Sequence, residues 1–322
     1  MEDTPPSGRI NSYNIPMRIL ITGGAGFIGS NIAFAVQEIY PKAKVYVLDN
    51  FSSGHFKNLI GFKGEVITGD IRDRELWEYL KKNFSFDVIF HKAAITDTTV
   101  MNQKLMMEVN SDSLRYILDS AFEWNAKVIY ASSAGVYGNT QPPMREDRGL
   151  QPENIYGFSK LMMDHIAMDY MERYPEMRIV GFRYFNVYGP GESYKGKTAS
   201  MIYQLAMKMI QGQKPRLFKW GEQKRDFVYI KDVVKANLLA LEKDVSGIFN
   251  IATGKARSFN EIVEILNREF GTNYEIEYFD CPYDFYQEFT QADISKAREL
   301  LGYEPEYSLE EGIKDYLKYI RA

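Results

Sequence analysis

The chain has 322 residues, 45% of them hydrophobic and 25% charged, and 43 acids against 39 bases leave a formal charge of −4. That balance offers no electrostatic case for nucleic acid or an anionic membrane as partner. The one cysteine, Cys281, excludes an intrachain disulfide and a thiolate zinc cage. His55, His91 and His165 lie far apart and match no metal-ligand spacing, so no metal is expected. The polar start, MEDTPPSGRINSYNIP, lacks the apolar core of a signal peptide, and no apolar run approaches a membrane span. The reading is a cytoplasmic protein whose residues 1–16 form a flexible tail. Its length predicts one large domain plus a smaller one.

In chain order, MRILIT (17–22) is a short apolar run of buried-strand type, followed by a glycine-rich turn and an amphipathic helix over 27–39. Strands follow at KVYVLD (44–49) and EVITGD (65–70), then a helix at RDRELWEYLKKN, a strand at DVIFHKAA (87–94) and a long helix over 101–124. KVIYASS (127–133) is the next strand, a helix covers 155–174, and RIVGFRYFN (178–186) is strand again. Alternating β and α, with strands apolar on both faces, predicts a Rossmann-like doubly wound parallel sheet over 17–185. After about 186 the rhythm changes. Short strand-like pieces (PRLF, DFVYI, GIFNIA, YEIEYF) alternate with helices near 198–211, 231–243, 258–270 and 308–320. This predicts a smaller C-terminal α/β substrate-binding domain over 186–322, with the segment of about 226–252 packing back on the first.

ILITGGAGFIGSNIA places Gly23, Gly26 and Gly29 directly after a strand and opens a helix at Phe27 and Ile28. Such glycines permit a tight turn, close approach of backbone to pyrophosphate, and helix–sheet packing. The helix start offers free N–H groups to phosphate. A plain strand-to-helix turn is the structural alternative. Asp49, twenty positions after Gly29 at the end of the next strand, is placed to bind the adenosine ribose, with Asn50 beside it. Asp49 favours NAD, whereas Ser52, Ser53, His55 and Lys57 offer contacts to a 2′-phosphate, so NAD and NADP both stay open. Asp70 and Ile71 stand where adenine is held, and Lys92, Ala93, Ala94 and Thr96 end the fourth strand near the pyrophosphate.

YGFSK puts Tyr156 and Lys160 four apart, on one face of a helix. A lysine close to a tyrosine and to the ribose stabilises phenolate, so the phenol can act as a base near neutral pH. Ser133, a little over twenty residues earlier at a strand end, can hydrogen-bond a substrate oxygen beside the tyrosine. An exposed helix pair is the bland alternative. The ordered set of glycine turn, Asp49, Ser133, Tyr156 and Lys160 is what makes the catalytic reading specific.

With these residues the chain resembles the extended short-chain dehydrogenase/reductase (NAD-dependent epimerase/dehydratase) superfamily over nearly all of 17–322. The resemblance implies a bound nicotinamide and reversible hydride removal from a sugar hydroxyl. Tyr156 would take the hydroxyl proton, Lys160 would hold the ribose and Ser133 would orient the oxygen. Sugar dehydratases of the superfamily carry an Asp-Glu pair where this chain has Ala134-Gly135, so dehydration is not expected.

The runs RYFNVYGPGESYKGKTAS, KRDFVYIKDV, SGIFNIATGKARSFNEI and FTQAD resemble the ADP-glyceromanno-heptose 6-epimerase family. That resemblance implies Lys195 as a second acid/base facing Tyr156 and touching the cofactor. It also implies cofactor contacts at Asn110 and Val187, and substrate contacts at Asn186, Phe218, Gly221, Arg225 and Tyr286. Lys197 and Gln204 stand where the family carries a small hydroxyl residue and a histidine, again toward the substrate. Lys219-Trp220-Gly221 replaces its acidic-glycine-serine turn, and His55 takes the place of a cofactor-phosphate lysine. The implied partners are an ADP-linked heptose and other copies of the chain, with pentamers known in the family. The implied cofactor is tightly held NADP or NAD. A UDP-hexose 4-epimerase and a non-catalytic dinucleotide-binding scaffold are the competing readings. Lys195 argues against the first, and Ser133, Tyr156 and Lys160 argue against the second.

Overall fold

The computed structural model describes residues 16–282 and 287–320, so the N-terminal tail up to residue 15 and Tyr286 lie outside the described residues. The chain runs β1 (Arg18–Thr22), α1 (Phe27–Ile39), β2 (Lys44–Asp49), β3 (Glu65–Thr68), α2 (Arg74–Asn83) and β4 (Val88–His91). Next come α3 (Gln103–Met107), a π-helical turn at Glu108–Asp112, α4 (Ser113–Trp124), β5 (Lys127–Ser133), α5 (Ile155–Arg173) and β6 (Ile179–Tyr184). The remainder is β7 (Asn186–Tyr188), α6 (Met201–Ile210), β8 (Arg216–Phe218), β9 (Lys224–Tyr229), α7 (Ile230–Glu242), β10 (Gly247–Ile251), β11 (Ala256–Ser258), α8 (Phe259–Phe270), β12 (Glu277–Phe279), α9 (Ser295–Leu301) and α10 (Leu309–Ile320).

Seven strands form one parallel sheet in the order β10-β6-β5-β4-β1-β2-β3. Both faces are covered, as the alternation within single strands shows. Ile19 and Ile21 point into one core with Val45 and Val47, while Leu20 points into the other with Tyr46 and Leu48. Successive side chains of a strand face opposite ways, so an all-apolar strand requires two cores. The strand order reverses between β1 and β4. In open α/β sheets the crevice beyond the carboxyl ends at such a switch point is where ligands bind.

RIVGFRYFN departs from the single strand expected of it. β6 ends at Tyr184, and Phe185 donates its N–H to the Ile251 carbonyl (3.2 Å). The chain then starts β7 in a separate three-stranded sheet, β11-β9-β7. GIFNIA supplies β10, the edge strand of the large sheet, paired with β6 from Gly247 opposite Val180 to Ile251 opposite Tyr184. β8 and β12 make a third, two-stranded sheet. Two expected strands are shorter than read, because Gly69 and Asp70 lie beyond the end of β3 and Lys92–Ala94 lie in a loop after β4. α8 opens with a reciprocal cap between Ser258 and Glu261 and closes on Gly271 in the left-handed region.

Candidate active site

The glycine turn is shaped by contacts that leave no room for side chains. Gly23 has φ +67°, and a Cβ there would lie 2.5 Å from the Ala93 backbone nitrogen. At Gly29 a Cβ would lie 2.2 Å from the Gly23 carbonyl oxygen, so the first turn of α1 seats directly on the loop. Asp49 ends β2 at 6% exposure and accepts the N–H groups of Ala25 (2.9 Å) and Phe51 (2.8 Å). Burial pushes its carboxyl up, and those two bonds oppose the shift. Gly54 packs on the carboxylate, since a Cβ there would come within 2.8 Å of it. Asn50 and Arg72 both bond Asp70, and the Arg72 guanidinium is the main reason its carboxyl drops to about 2. A turn stripped of side chains, with its N–H groups at a helix start and a carboxylate at the next strand end, fits a dinucleotide.

Beyond that turn, at the carboxyl ends of β4, β5 and β6, lies a cavity of about 340 Å³. It brings together Phe27, Ile28, Lys92, Ala94, Thr96, Ser133, Tyr156, Lys160, Asn186, Val187 and Lys195. Ser133 ends β5, and its hydroxyl accepts the Gly135 N–H at 3.0 Å. Tyr156 and Lys160 sit in the first turns of α5, which is capped by the Asn154 side chain accepting the Gly157 N–H. Close packing needs glycine at 157, while a side chain at 135 would make only ordinary contact. A Cβ on Gly157 would be 2.4 Å from the Gly135 oxygen, and one on Gly135 would be 3.5 Å from the Tyr156 ring. Burial raises the Tyr156 phenol, and a hydrogen bond from Ser133 opposes it. Lys160 is 2% exposed and donates to the Ala131 carbonyl at 2.8 Å. Burial lowers its ammonium to about 8, against the pull of Asp164 one turn on.

Lys195 reaches the cavity from a 3₁₀ turn over Ser193–Thr198. Its ammonium lies 5.5 Å from the centre of the Phe27 ring. Burial pushes it below its ordinary value, with the Glu192 carboxylate acting the other way. Glu192 is itself fully buried and accepts from the Gly189 N–H (3.1 Å), the Ser200 N–H (2.5 Å) and the Ser200 hydroxyl (2.8 Å).

Other sequence candidates are engaged with the protein's own groups. Lys92 lines the cavity, but its ammonium turns into the sheet and donates to the Ile129 carbonyl and the Tyr184 hydroxyl, each at 3.1 Å. Burial, then Lys160, holds it well below its ordinary value. Asn110, on the π turn, is spent inside the protein. It accepts the Ile95 N–H (2.8 Å) and donates to the Ile95 carbonyl (2.9 Å) and to Ser159 (3.2 Å), so it braces the loop carrying Thr96 against α5. Lys197 is directed outward, 71% exposed, and pairs with Asp97 (3.0 Å) and Thr99 (3.0 Å) on the loop after β4. Gln204 donates to the Ala199 and Lys197 carbonyls. Arg225 is 7% exposed on β9, with its guanidinium 5.7 Å from the ring of Phe259, a cavity residue. Phe218 packs edge-on against Phe279 at 5.0 Å, and Gly221 (φ +72°) has no space for a Cβ beside Asn260. Ile71 is buried, and its carbonyl accepts the Trp77 indole N–H (2.8 Å). Lys57 stands 5.9 Å over the Tyr194 ring.

Sequence reasoning missed the layer under the site. Asp164 accepts from Arg183 (2.9 Å) and from the Tyr130 hydroxyl (2.9 Å), and Arg183 donates on to the Tyr137 hydroxyl (3.0 Å). Tyr137 in turn donates to Asn250 on β10 (2.6 Å). These groups tie α5 to three strands of the sheet. Asp164 follows Lys160 by four residues, the one signal present in the chain. Among the described residues, no cluster of His, Cys, Asp or Glu is arranged to hold a metal, and no helix is long and apolar enough to cross a membrane.

The profile of the family described as "NAD dependent epimerase/dehydratase family" matches residues 19–252. The chain belongs to the NAD dependent epimerase/dehydratase family. Among solved members of this family's fold, the chain is similar to the ADP-L-glycero-D-manno-heptose-6-epimerase of Helicobacter pylori. They share 50% identity over 97% of this chain and 99% of that one, with a TM-score of 0.91. It is also similar to the UDP-glucose 4-epimerase of Thermotoga maritima, at 32% identity, TM-score 0.88, and 95% and 99% coverage. The dTDP-glucose 4,6-dehydratase of Bacillus anthracis, solved with NAD, shows 25% identity, TM-score 0.85, and 95% and 96% coverage. The family assignment and the 50% relative make this chain an epimerase, an isomerase that uses a nicotinamide dinucleotide.

Proposed function

We propose that the epimerase acts on a nucleotide sugar, converting ADP-D-glycero-β-D-manno-heptose to ADP-L-glycero-β-D-manno-heptose at carbon 6. Tyr156 and Lys195 are its two acid/bases. The observation carrying this reading is that a second, partly buried lysine from the 3₁₀ turn enters the cavity that holds Ser133, Tyr156 and Lys160. The 50% relative supports the choice of sugar. Residues 17–185, with about 226–252 packed back on them, would hold the cofactor, and 186–322 the substrate. Tightly held NADP or NAD, a cytoplasmic setting and a homo-oligomer belong to the same reading.

Gly23, Gly26 and Gly29 would cradle the pyrophosphate, Asp49 would lie at the adenosine ribose, and Lys160 at the nicotinamide ribose. A bound nicotinamide would supply the hydride acceptor and donor that turn the carbon-6 alcohol transiently into a ketone. The protein's own part is proton handling. Ser133 orients the oxygen, and the Tyr156 Oη takes the hydroxyl proton. The Lys160 ammonium, fixed on the Ala131 carbonyl, favours the phenolate that results. When the ketone presents its other face, its oxygen points away from Tyr156, and the Lys195 ammonium donates the proton there. Gly135 leaves no acid/base pair for eliminating water.

The test is incubation with the ADP-linked D-glycero heptose and chromatographic separation of the epimers, with UDP-glucose and UDP-galactose run in parallel. Interconversion of the heptose pair is expected. Turnover of the UDP-hexoses alone would replace this reading with the hexose 4-epimerase.

A further inference from the structure

The 3₁₀ turn carrying Lys195 is joined to the glycine turn by three contacts from residues outside the reaction chemistry. Asn31, on α1, donates its one amide nitrogen both to the Phe27 carbonyl of its own helix and to the Pro190 carbonyl, each at 2.9 Å. Asn58, on the 3₁₀ turn after β2, repeats the arrangement. Its amide nitrogen donates to the Ala25 carbonyl (3.1 Å) and to the Gly191 carbonyl (3.2 Å). His55 stacks face to face on Tyr194, with ring centres 4.0 Å apart and planes 5° from parallel. Gly191 allows the approach. With φ +100°, a Cβ there would lie 3.0 Å from the Asn31 amide nitrogen.

Each amide therefore spans two backbone segments far apart in sequence. One segment is the turn that frames the dinucleotide, and the other is the approach to Lys195. On its far side the Lys195 segment is held by Glu192 on Ser200, at the start of α6. The Lys195 N–H bonds the Glu192 carbonyl (2.9 Å), and the Lys195 carbonyl accepts the Thr198 hydroxyl (2.9 Å). Lys195 thus sits between two anchors. The one facing the cofactor consists of Asn31, Asn58 and the His55–Tyr194 stack. A lysine on a long, rotamer-rich side chain delivers a proton to one face of a carbonyl only if its base is fixed.

We propose that Asn31, Asn58 and the His55–Tyr194 stack are positioning residues that fix Lys195 over the glycine turn. They make the second acid/base part of the cofactor-binding loop. This inference rests on the acid/base reading of Lys195. Asn58→Ala removes one shared donor on the surface side of the turn and leaves Tyr156, Lys160 and Ser133 in place. Loss of such a bond is expected to slow epimerisation roughly five- to tenfold. In the cofactor-loaded protein, the backbone amides of 191–198 are expected to exchange their hydrogens roughly fivefold faster. His55→Ala, which removes the stack and no hydrogen bond to Lys195's loop, is expected to act in the same direction.

The decisive comparison is the double variant. If Asn58 works through Lys195, then Asn58→Ala added to Lys195→Met slows the reaction no further than Lys195→Met alone. Losses that multiply, with Lys195→Met itself strongly impaired, would overturn the positioning role and leave the acid/base reading standing. Unchanged hydrogen exchange over 191–198 in Asn58→Ala would overturn it as well. Near wild-type epimerisation by Lys195→Met would instead overturn the acid/base reading on which the inference rests.

Discussion

Lys160→Met tests the electrostatic state of the site without substrate. The ammonium is 2% exposed and is held at about 8 rather than 10.5, burial being the main cause. At about 1.4 kcal/mol per pH unit, that lowering corresponds to roughly 2–4 kcal/mol by which the charged lysine opposes folding below pH 8. The sign follows from proton counting. Between about pH 8 and 10.5 the unfolded chain keeps the proton that the folded chain has released, so the wild-type fold gains stability as pH rises. Methionine has no proton to lose, and its stability lacks this rise. Urea unfolding of cofactor-free protein at pH 7 and at pH 10 should therefore show wild type gaining roughly 2–4 kcal/mol relative to Lys160→Met. The pH-dependent difference is the readout, because a constant offset also contains the lost bond to the Ala131 carbonyl. Parallel pH curves would mean that Lys160 is not desolvated, and would refute its placement under the cavity.

Gly29→Ala should strip the protein of bound dinucleotide, since the new Cβ meets the Gly23 carbonyl at 2.2 Å; nucleotide released on denaturation at wild-type stoichiometry would contradict the packing of the turn. Asp164→Asn leaves the Arg183 guanidinium buried without its counter-charge. A loss of roughly 3–5 kcal/mol in urea unfolding is expected, and a loss below about 1 kcal/mol would show that the pair is dispensable. Lys197→Ser removes an exposed ion pair with Asp97 and a hydrogen bond to Thr99. Stability should change by less than about 1 kcal/mol and the substrate KM by less than about twofold, whereas a tenfold rise in KM would return Lys197 to the substrate.

Much of the large sheet was legible because its strands are short, apolar and bounded by turn residues. KVYVLD and KVIYASS form β2 and β5 over the same residues that the pattern marks. The helix carrying Tyr156 and Lys160 begins at the expected Ile155. RIVGFRYFN misled because its apolar pattern runs on after Tyr184, while the change of sheet depends on Phe185 meeting the distant Ile251 carbonyl. The resemblance implied a cofactor contact for Asn110 on a regular helix, and a π turn places its side chain against Ile95 and Ser159. Lys197 shares composition and spacing with Lys195. Only the tertiary placement of Asp97 sends one outward while its neighbour enters the cavity. The Asp164–Arg183 pair escaped for a similar reason, since its members become neighbours only when α5 packs on β6.

The central claim is that inversion occurs by removal and return of the same hydrogen at the reacting carbon, with Tyr156 and Lys195 exchanging protons only at oxygen. Epimerisation of the ADP-linked heptose in deuterium oxide tests it directly, read by mass spectrometry of the isolated product. The account predicts an epimerised sugar whose carbon-bound hydrogens all remain protium, because solvent exchanges only with the hydroxyl and the acid/base groups. One deuterium fixed on carbon 6 of the product would mean that the carbon itself is deprotonated and reprotonated, and would contradict the mechanism.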